Sequence, residues 1–192
     1  MRHRRELKER AGGIRMVLFD VDGVLTDGGL YYGPAGVEWK RFHAQDGYGI
    51  RLAREAGIDV GIVSGRVAAA VTARARELQI DECHQGVADK LTVLEDLRTR
   101  RGFLPAQLAF MGDDLFDLPL LRAVGLAAAP ADARPEVRRA VHLVTVARGG
   151  EGAAREFLDL LIGFKDRSPA GGPGGRKDRG SPRQGKRRRT IP

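Results

Sequence analysis

The stretch RMVLFDVDGVLTDGG, residues 15–29, indicates the class of fold. Residues 15–19 are almost entirely apolar and are followed at once by acidic and glycine-rich sequence, which is typical of a buried strand that opens into a loop. Two later apolar runs end in the same way, since DVGIV at residues 59–63 is followed by SGR and LAFM at residues 108–111 by GDD. Helical patterns of about ten residues separate these runs, which predicts right-handed βαβ crossovers around a mostly parallel sheet. We therefore expect an α/β, doubly wound domain.

The remaining patterns extend this assignment along the chain. Further strands are predicted at residues 82–84, 126–129 and 142–144, and helices at residues 49–56, 67–78, 90–101, 118–123 and 155–162. Residues 30–32 and 38–42 flank the turn sequence GPAG, which predicts a small β-hairpin. We divide the chain into a charged N-terminal extension at residues 1–13, one domain at residues 14–165 and a basic tail at residues 166–192.

The positive charge of the chain is concentrated at its two ends. Lys and Arg number 33 against 25 Asp and Glu, but residues 166–192 alone carry nine Lys and Arg against two Asp. Residues 1–10 carry five against two, which leaves a net charge of −2 for residues 11–165. The body is therefore not a basic domain that coats nucleic acid. The glycine- and proline-rich tail is expected to be disordered. It either contacts an anionic partner, such as nucleic acid or an anionic surface, or is an extension without function.

Composition also points to a cell compartment. No apolar run approaches the roughly 20 residues that a membrane-spanning helix needs, and the charged N-terminus is not followed by the apolar stretch of a signal peptide. The one cysteine, Cys83, excludes an internal disulfide and fits a reducing compartment. We expect a cytoplasmic protein.

The loops that follow the strands carry the side chains expected to perform chemistry. Ligands of parallel α/β sheets bind outside the carboxyl ends of the strands, so residues distant in sequence meet at one edge. Asp20 and Asp22 repel each other unless a cation lies between them, and oxygen ligands of this kind suit Mg²⁺. Asp113 and Asp114 follow another strand and can supply the opposite side of the ion. Taken alone, the pair in DVD fits a surface turn, and the pair in GDD fits a cap at the start of a helix.

The same edge carries groups that can transfer a phosphoryl group. A carboxylate beside Mg²⁺ can attack phosphorus and form an acyl phosphate, while the carboxylate two residues further on protonates the leaving alkoxide. Ser64 and the backbone N–H groups of SGR can hold phosphate oxygens, and Lys90 can neutralise charge on the transferring group. Taken separately, Ser64 fits an ordinary strand-to-helix turn and Lys90 fits an exposed lysine at a helix start.

These motifs resemble those of the haloacid dehalogenase-like phosphatases. DVDGVLTDG, SGR, a lysine near a helix start and GDDLFD occur in the order and context of the four motifs of that superfamily. FHAQDGYGIR, QGVADK, GDDLFDLPLL, VGLAAAPADA and GGEGAARE are similar to its branch that hydrolyses the 8-phosphate of an eight-carbon sugar acid in lipopolysaccharide precursor synthesis. The resemblance covers residues 14–161 and omits both charged ends. It implies a Rossmann-like fold with a hairpin flap instead of a cap domain, and Mg²⁺-dependent hydrolysis through an aspartyl phosphate.

The resemblance implies a role for each residue of the site. Asp20 would be the nucleophile and Asp22 the general acid and base, while Ser64 and Lys90 would bind the phosphoryl group. Mg²⁺ would be held by Asp20, the backbone carbonyl of Asp22 and Asp113, with Asp114 and Asp117 in support. The implied substrate contacts are Asp22, His43, Ala44, Gln45, Asp46, Gly47, Arg51, Arg66, Arg74 and Lys90. His43 departs from the family pattern, which usually has an amide there.

The resemblance also implies a homotetramer whose neighbouring subunits close each site, because a hairpin alone excludes water poorly. Residues 149–156 are a candidate contact to a neighbouring site. The apolar hairpin residues fit burial against another chain, although packing on their own domain is the alternative. These residues are Leu30, Tyr31, Tyr32, Trp39 and Phe42.

Three other functions remain open from the sequence. The same chemistry can act on another phosphosugar, such as a nine-carbon acylneuraminate phosphate. The chain can instead be a non-catalytic assembly module, although the complete acidic and basic set argues against this. An RNA-associated protein that binds through its tail predicts binding that weakens steeply with salt.

Overall fold

The computed structural model describes residues 2–165, and the predicted disordered tail lies outside these described residues. The strands of the described residues are β1 (Met16–Phe19), β2 (Tyr31–Tyr32), β3 (Glu38–Trp39), β4 (Asp59–Val63), β5 (Glu82–His84), β6 (Leu108–Met111), β7 (Leu126–Ala129) and β8 (Leu143–Val144). The helices are α1 (Arg2–Gly12), α2 (Ala44–Glu55), α3 (Ala69–Glu77), α4 (Leu91–Arg101), α5 (Leu118–Ala123), α6 (Pro135–Ala140) and α7 (Ala153–Lys165). Six strands form one parallel sheet in the order β5-β4-β1-β6-β7-β8.

Strand β1 lies inside this sheet and is buried on both faces. Val17 and Phe19 belong to a core with residues of α2, α3 and α7, whereas Met16 and Leu18 belong to a second core with residues of α4, α5 and α6. Successive side chains of a strand point to opposite faces, so an uninterrupted apolar run is what a sheet covered on both sides requires. The predicted doubly wound α/β class is confirmed.

Strands β2 and β3 form the predicted hairpin beside the sheet. They pair antiparallel, with Tyr31 opposite Trp39 and Tyr32 opposite Glu38. A single antiparallel bridge from Thr26 to Phe42 joins the two ends of the hairpin segment. The hairpin is the small flap expected in place of a cap domain.

The helix boundaries differ from the predictions mainly at α2, which begins at Ala44 rather than at residue 49. Gly47 and Gly49 lie in its first turns and have low helix propensity, which obscures the periodicity. Tertiary packing leaves no room for a side chain at either position. A Cβ on Gly47 would lie 2.3 Å from Arg74 Nη2, and one on Gly49 would lie 2.7 Å from Arg155 Cδ.

Helices α1 and α6 were not predicted. Helix α1 has a strongly charged sequence, but its Leu7 and Ala11 are buried in the core that contains α7. The N-terminal extension therefore packs on the domain through these two side chains, and the division of the chain at residue 13 stays a prediction. Between residues 2 and 165, none of the helices has the length and apolarity needed to cross a bilayer.

Gly125, which directly precedes β7, offers a test of the packing. A Cβ there would lie 2.4 Å from the carbonyl oxygen of Ala106, a backbone atom that cannot move without disturbing the turn before β6. We expect Gly125→Ala to reduce the free energy of unfolding by about 1–3 kcal/mol, measured by urea denaturation. Gly163→Ala in α7 is the matched control, because no atom beyond its chain neighbours and the nearby backbone of its own helix lies within 4 Å of the added Cβ. The control should raise stability by about 0.5–1 kcal/mol, and equal behaviour of the two variants would contradict the packing argument.

Candidate active site

The predicted loops meet at the carboxyl ends of three adjacent strands. β1 is paired with β4 on one side and with β6 on the other, and Phe19 lies opposite both Ile62 and Met111. Asp20 therefore leaves the sheet between the loops that follow β4 and β6. Its backbone N–H donates to the carbonyl oxygen of Met111 at 3.0 Å. The sequence-based expectation of one shared edge is confirmed.

Three carboxylates form a compact cluster at this edge. Oxygen atoms of Asp20, Asp113 and Asp117 lie within 4.8 Å of one another. Lys90 Nζ donates to Asp20 Oδ1 at 2.7 Å and to Asp117 Oδ1 at 2.5 Å, and both Lys90 and Asp117 are almost completely buried. Lys90 also lies over the rings of Phe110 and Phe116 at 5.5 and 5.3 Å. The alternative of Lys90 as an exposed lysine is wrong.

The charges of the cluster are incompletely balanced. Burial, followed by repulsion from Asp20, Asp117 and Asp114, raises the pKa of Asp113 to about 8. Burial and the charge of Asp117 raise the pKa of Asp20 to about 6, although Lys90 opposes this shift. Among the described residues, Asp113 Oδ1 is a buried oxygen without a hydrogen-bond partner. An orphaned carboxylate oxygen beside two further carboxylates fits a hard divalent cation such as Mg²⁺.

Asp117 holds the cluster in shape. Its Oδ2 accepts hydrogen bonds from the backbone N–H groups of Asp113 at 2.9 Å and of Asp114 at 3.2 Å, while Oδ1 accepts from Lys90. Both oxygens are thus occupied by donors of the chain itself. Asp114 turns away, accepts from the backbone N–H of Leu115 at 2.7 Å and caps the following turn. These contacts support a positioning role for Asp117 and a capping role for Asp114.

Asp22 faces the hairpin, whereas Asp20 faces Lys90. Asp22 Oδ1 accepts a hydrogen bond from Lys40 Nζ, and Asp22 Oδ2 lies 3.7 Å from Arg66 Nε. Glu38 contacts the same two cations, with 2.6 Å to Lys40 Nζ and 2.7 Å to Arg66 Nη2. The contacts with Lys40 and Arg66 lower the pKa of Glu38. The backbone carbonyl of Asp22 as a metal ligand stays a prediction.

Sequence reasoning missed Glu38 and Lys40. The available signal was their spacing, because two residues that are two apart on a strand point to the same face. A glutamate and a lysine on one face of a flap beside the DVD loop predict a polar contact to that loop.

Ser64 lies beside the acidic cluster on the next strand. It follows β4, is buried, and its Oγ accepts from the backbone N–H of Arg66 at 3.2 Å. This hydrogen bond closes the turn that follows β4. Ser64 and Lys90 as phosphate ligands stay predictions.

The residues predicted to contact substrate on α2 form a second group. Asp46 is buried, and its Oδ1 accepts from the backbone N–H of Arg155 at 2.8 Å, while burial raises its pKa. Arg74 Nη2 donates to the carbonyl oxygen of His43 at 3.4 Å, and its guanidinium lies over Phe42. These contacts join α2 to α3 and α7. In this structure, Asp46 and Arg74 therefore stabilise the packing of these helices.

Arg51 contacts a residue of its own helix rather than the acidic cluster. Its side chain is largely exposed and its Nε donates to Glu55 at 2.9 Å, one turn further along α2. His43 directly precedes α2, and within the described chain its Nδ1 is a buried atom without a partner. The roles of Ala44, Gln45 and Gly47 in substrate binding stay predictions.

Residues 149–150 pack against the loop that carries the DVD motif in the same chain. The backbone N–H of Gly150 donates to the carbonyl oxygen of Val24 at 3.0 Å. A Cβ on Gly149 would lie 1.9 Å from the carbonyl oxygen of Gly23. Part of the segment predicted to reach a neighbouring subunit is thus a support for its own active-site loop, and a contact by the rest of it stays a prediction.

Comparisons with known proteins agree with this geometry. Residues 82–157 match the family model of haloacid dehalogenase-like hydrolases. A 3-deoxy-D-manno-octulosonate 8-phosphate phosphatase of Yersinia pestis is 43% identical over 159 residues, which cover 83% of this chain and 85% of the relative. The chain belongs to the 3-deoxy-D-manno-octulosonate 8-phosphate phosphatase family. The resemblance inferred from the motifs is confirmed.

Two crystal structures of octulosonate phosphatases match the fold. The Yersinia pestis enzyme has 42% identity and a TM-score of 0.82, with 84% of this chain and 88% of that chain covered. The Moraxella catarrhalis enzyme, in complex with magnesium ion, phosphate ion and a KDO molecule, has 36% identity and a TM-score of 0.82 over 84% and 93% of the two chains. The octulosonate phosphatase fold therefore covers 84% of this chain.

Proposed function

We propose that this chain is a Mg²⁺-dependent phosphatase that converts 3-deoxy-D-manno-octulosonate 8-phosphate to 3-deoxy-D-manno-octulosonate and phosphate, in lipopolysaccharide precursor synthesis. The observation that carries the proposal is the cluster of Asp20, Asp113, Asp117 and Lys90 at the end of β1, in which all but Asp113 are buried. The relatives of the same family are named for this activity, and one is crystallised with magnesium, phosphate and the sugar acid.

Asp20 and Asp113 would hold the Mg²⁺ ion together with the backbone carbonyl of Asp22, while Asp117 orients the loop. When bound, the ion offsets the negative charge of the carboxylates and of the phosphate. The orphaned oxygen of Asp113 and the raised pKa values of Asp20 and Asp113 support this assignment.

The chain's own residues then perform two displacements. With phosphate oxygens held by Ser64 and Lys90, Asp20 attacks phosphorus, the bond from phosphorus to the sugar oxygen breaks, and Asp22 protonates the leaving alkoxide. Asp22 next takes a proton from water, whose oxygen attacks phosphorus and breaks the bond to Asp20. Phosphate leaves and Asp20 is regenerated.

Phosphate release from a panel of phosphate monoesters tests this function. The panel contains the octulosonate 8-phosphate, an acylneuraminate 9-phosphate and glucose 6-phosphate, each with Mg²⁺ and with EDTA. We expect the highest kcat/KM on the octulosonate and no turnover in EDTA. A preference for the nine-carbon acid would reassign the substrate, and uniformly low activity would overturn the phosphatase assignment.

The stability of the protein should respond to Mg²⁺ in a pH-dependent way. The folded pKa values of Asp20 and Asp113 lie above 3.8, so the folded state binds more protons than the unfolded state between about pH 4 and pH 8. Without metal, stability therefore falls as pH rises through this window, and Mg²⁺ relieves the repulsion. We expect the increase in Tm on adding Mg²⁺ to be larger at pH 8 than at pH 5 by about 4 °C, measured by scanning calorimetry. Asp113→Asn should remove most of this difference, and a shift independent of pH would contradict the proposed site.

The proposal extends to a cytoplasmic homotetramer. Four of the five apolar hairpin side chains are exposed in the single chain, with Tyr32 and Trp39 exposed by 63% and 60%, whereas Phe42 packs on its own core. Light scattering should give the mass of four chains. A monomer would leave these aromatic side chains without the proposed cover.

A further inference from the structure

Four charged side chains form a closed ring between the hairpin and the active-site loops. Lys40 and Arg66 each contact both Asp22 and Glu38, so that every cation lies between two carboxylates and every carboxylate between two cations. The ring is electrically neutral. It joins the flap to the loop after β1 and to the loop after β4.

The ring lies beside the proposed phosphate site. Asp22 is two residues beyond Asp20 and Arg66 is two residues beyond Ser64, and two residues of extended chain span at most about 7 Å. The ring therefore lies within reach of a substrate whose phosphate is bound at Asp20 and Ser64.

Access to the ring differs between its members. The Lys40 side chain is only 1% exposed, whereas that of Arg66 is 44% exposed. A cation as deeply buried as Lys40 is costly without an anionic partner. Asp22 and Glu38 both supply such a partner, and Arg66 is the most exposed member of the ring.

We propose that Lys40 joins Arg66, which the family resemblance already implies as a substrate contact, in binding the carboxylate of the sugar acid, and that Glu38 occupies this position until the substrate arrives. The inference deepens the proposed function and rests on it. Removing Glu38 from the ring leaves Lys40, Arg66 and Asp22 with a net charge of +1, which complements one carboxylate. The guanidinium of Arg66 offers two parallel donors, and Lys40 adds a third charged donor.

The exchange of Glu38 for the substrate carboxylate explains how an enzyme with a hairpin flap instead of a cap domain selects a sugar acid. A phosphosugar without a carboxylate cannot replace Glu38, because it leaves two cations facing one carboxylate. A sugar acid restores the charge balance and gives Lys40 a new partner, so that Asp22 can turn towards the leaving oxygen.

Lys40→Met tests the first half of the proposal, since methionine keeps most of the length of the side chain and removes its charge. kcat/KM is measured on the octulosonate 8-phosphate, on glucose 6-phosphate, which has an alkyl leaving group and no carboxylate, and on p-nitrophenyl phosphate. We expect kcat/KM to fall about tenfold to 100-fold further on the octulosonate than on glucose 6-phosphate, mainly through KM. Equal losses on these two substrates would overturn the proposal, because Lys40 would then act on Asp22 alone.

Arg41→Met is the matched control on the same segment. Arg41 lies 3.4 Å from Asp27, outside the ring, and its side chain is 54% exposed. We expect the ratio of octulosonate to glucose 6-phosphate activity to stay within about twofold of the original. A change as large as that of Lys40→Met would contradict a specific role of the ring.

Glu38→Gln tests the second half by a binding measurement. Free 3-deoxy-D-manno-octulosonate, which has a carboxylate and no phosphate, is titrated by calorimetry into the unaltered protein and the variant. We expect the variant to bind it about tenfold more tightly, because the resident competitor has lost its charge. Unchanged or weaker binding would overturn the role of Glu38, even if Lys40→Met fails to fold.

The two proposals fail in different ways. If the unaltered protein with Mg²⁺ hydrolyses none of the three monoesters, the proposed function falls and this inference with it. If it hydrolyses them but Lys40→Met shows no selective loss, only the inference falls.

Discussion

Asp20→Asn is expected to give a folded protein that binds the octulosonate 8-phosphate but turns it over at least about 10⁴-fold more slowly. Asparagine has nearly the same shape as aspartate, but its amide cannot attack phosphorus. Asp20 is the carboxylate that leaves β1 beside Lys90, at 2.7 Å from Nζ. The expected loss is therefore in kcat, measured as phosphate release in a single turnover, with binding followed separately by calorimetry.

The fold should tolerate this change. Burial and Asp117 raise the pKa of Asp20 to about 6, so a neutral side chain removes repulsion from the cluster. Lys90 keeps its contact with Asp117 at 2.5 Å. We expect Tm to stay unchanged or to rise in EDTA.

Asp59→Asn is the matched control at the opposite end of the sheet. Asp59 begins β4, lies opposite Met16, and pairs with Arg101 at 2.7 Å. Its replacement should change kcat by less than about twofold. Turnover retained in Asp20→Asn, or lost equally in Asp59→Asn, would refute the assignment of Asp20 as nucleophile.

Lys90→Met is expected to reduce the free energy of unfolding by about 3–5 kcal/mol in EDTA. The change removes the cation that contacts Asp20 and Asp117 and leaves three clustered carboxylates uncompensated. Lys90 is only 3% exposed, so water cannot take its place easily. Urea denaturation measures the loss.

Mg²⁺ should restore a large part of the stability lost in Lys90→Met, because a divalent cation supplies the missing positive charge at the same carboxylates. Lys165→Met is the control, since Lys165 lies at the end of α7 and donates to the carbonyl oxygen of Gly57 in an exposed contact. The control should lose less than about 1 kcal/mol and should not respond differently to the metal. A small loss in Lys90→Met, or the absence of rescue, would contradict the proposed metal site.

The strand ends were predictable because their signals are local. β1, β4 and β6 are short apolar runs that stop at polar residues, and this punctuation is visible within five to eight residues of sequence. The parallel topology then brings Asp20, Ser64 and Asp113 to one edge. Asp20 and Asp113 followed directly from that placement, whereas Asp117 was implied only by the family resemblance.

The helix boundaries were less predictable because packing overrides propensity. Gly47 and Gly49 weaken the helical pattern at the start of α2. Arg74 and Arg155 occupy the space that side chains at these two glycine positions would need. In α1, the charged sequence hides two core residues among solvated ones. Neither effect can be read from a local window.

By itself, the sequence determined the α/β class, the positions along the chain of the strands with polar ends and the acids that follow these strands, since each depends on neighbours in the chain. Only the tertiary structure decided which charges are paired. Lys90 contacts Asp20 across 70 residues, and Lys40 contacts Asp22 across 18, through a flap whose two ends are joined by the bridge between Thr26 and Phe42. Because the strength of an ion pair depends on separation and burial in space, the partner of each charge was fixed by packing.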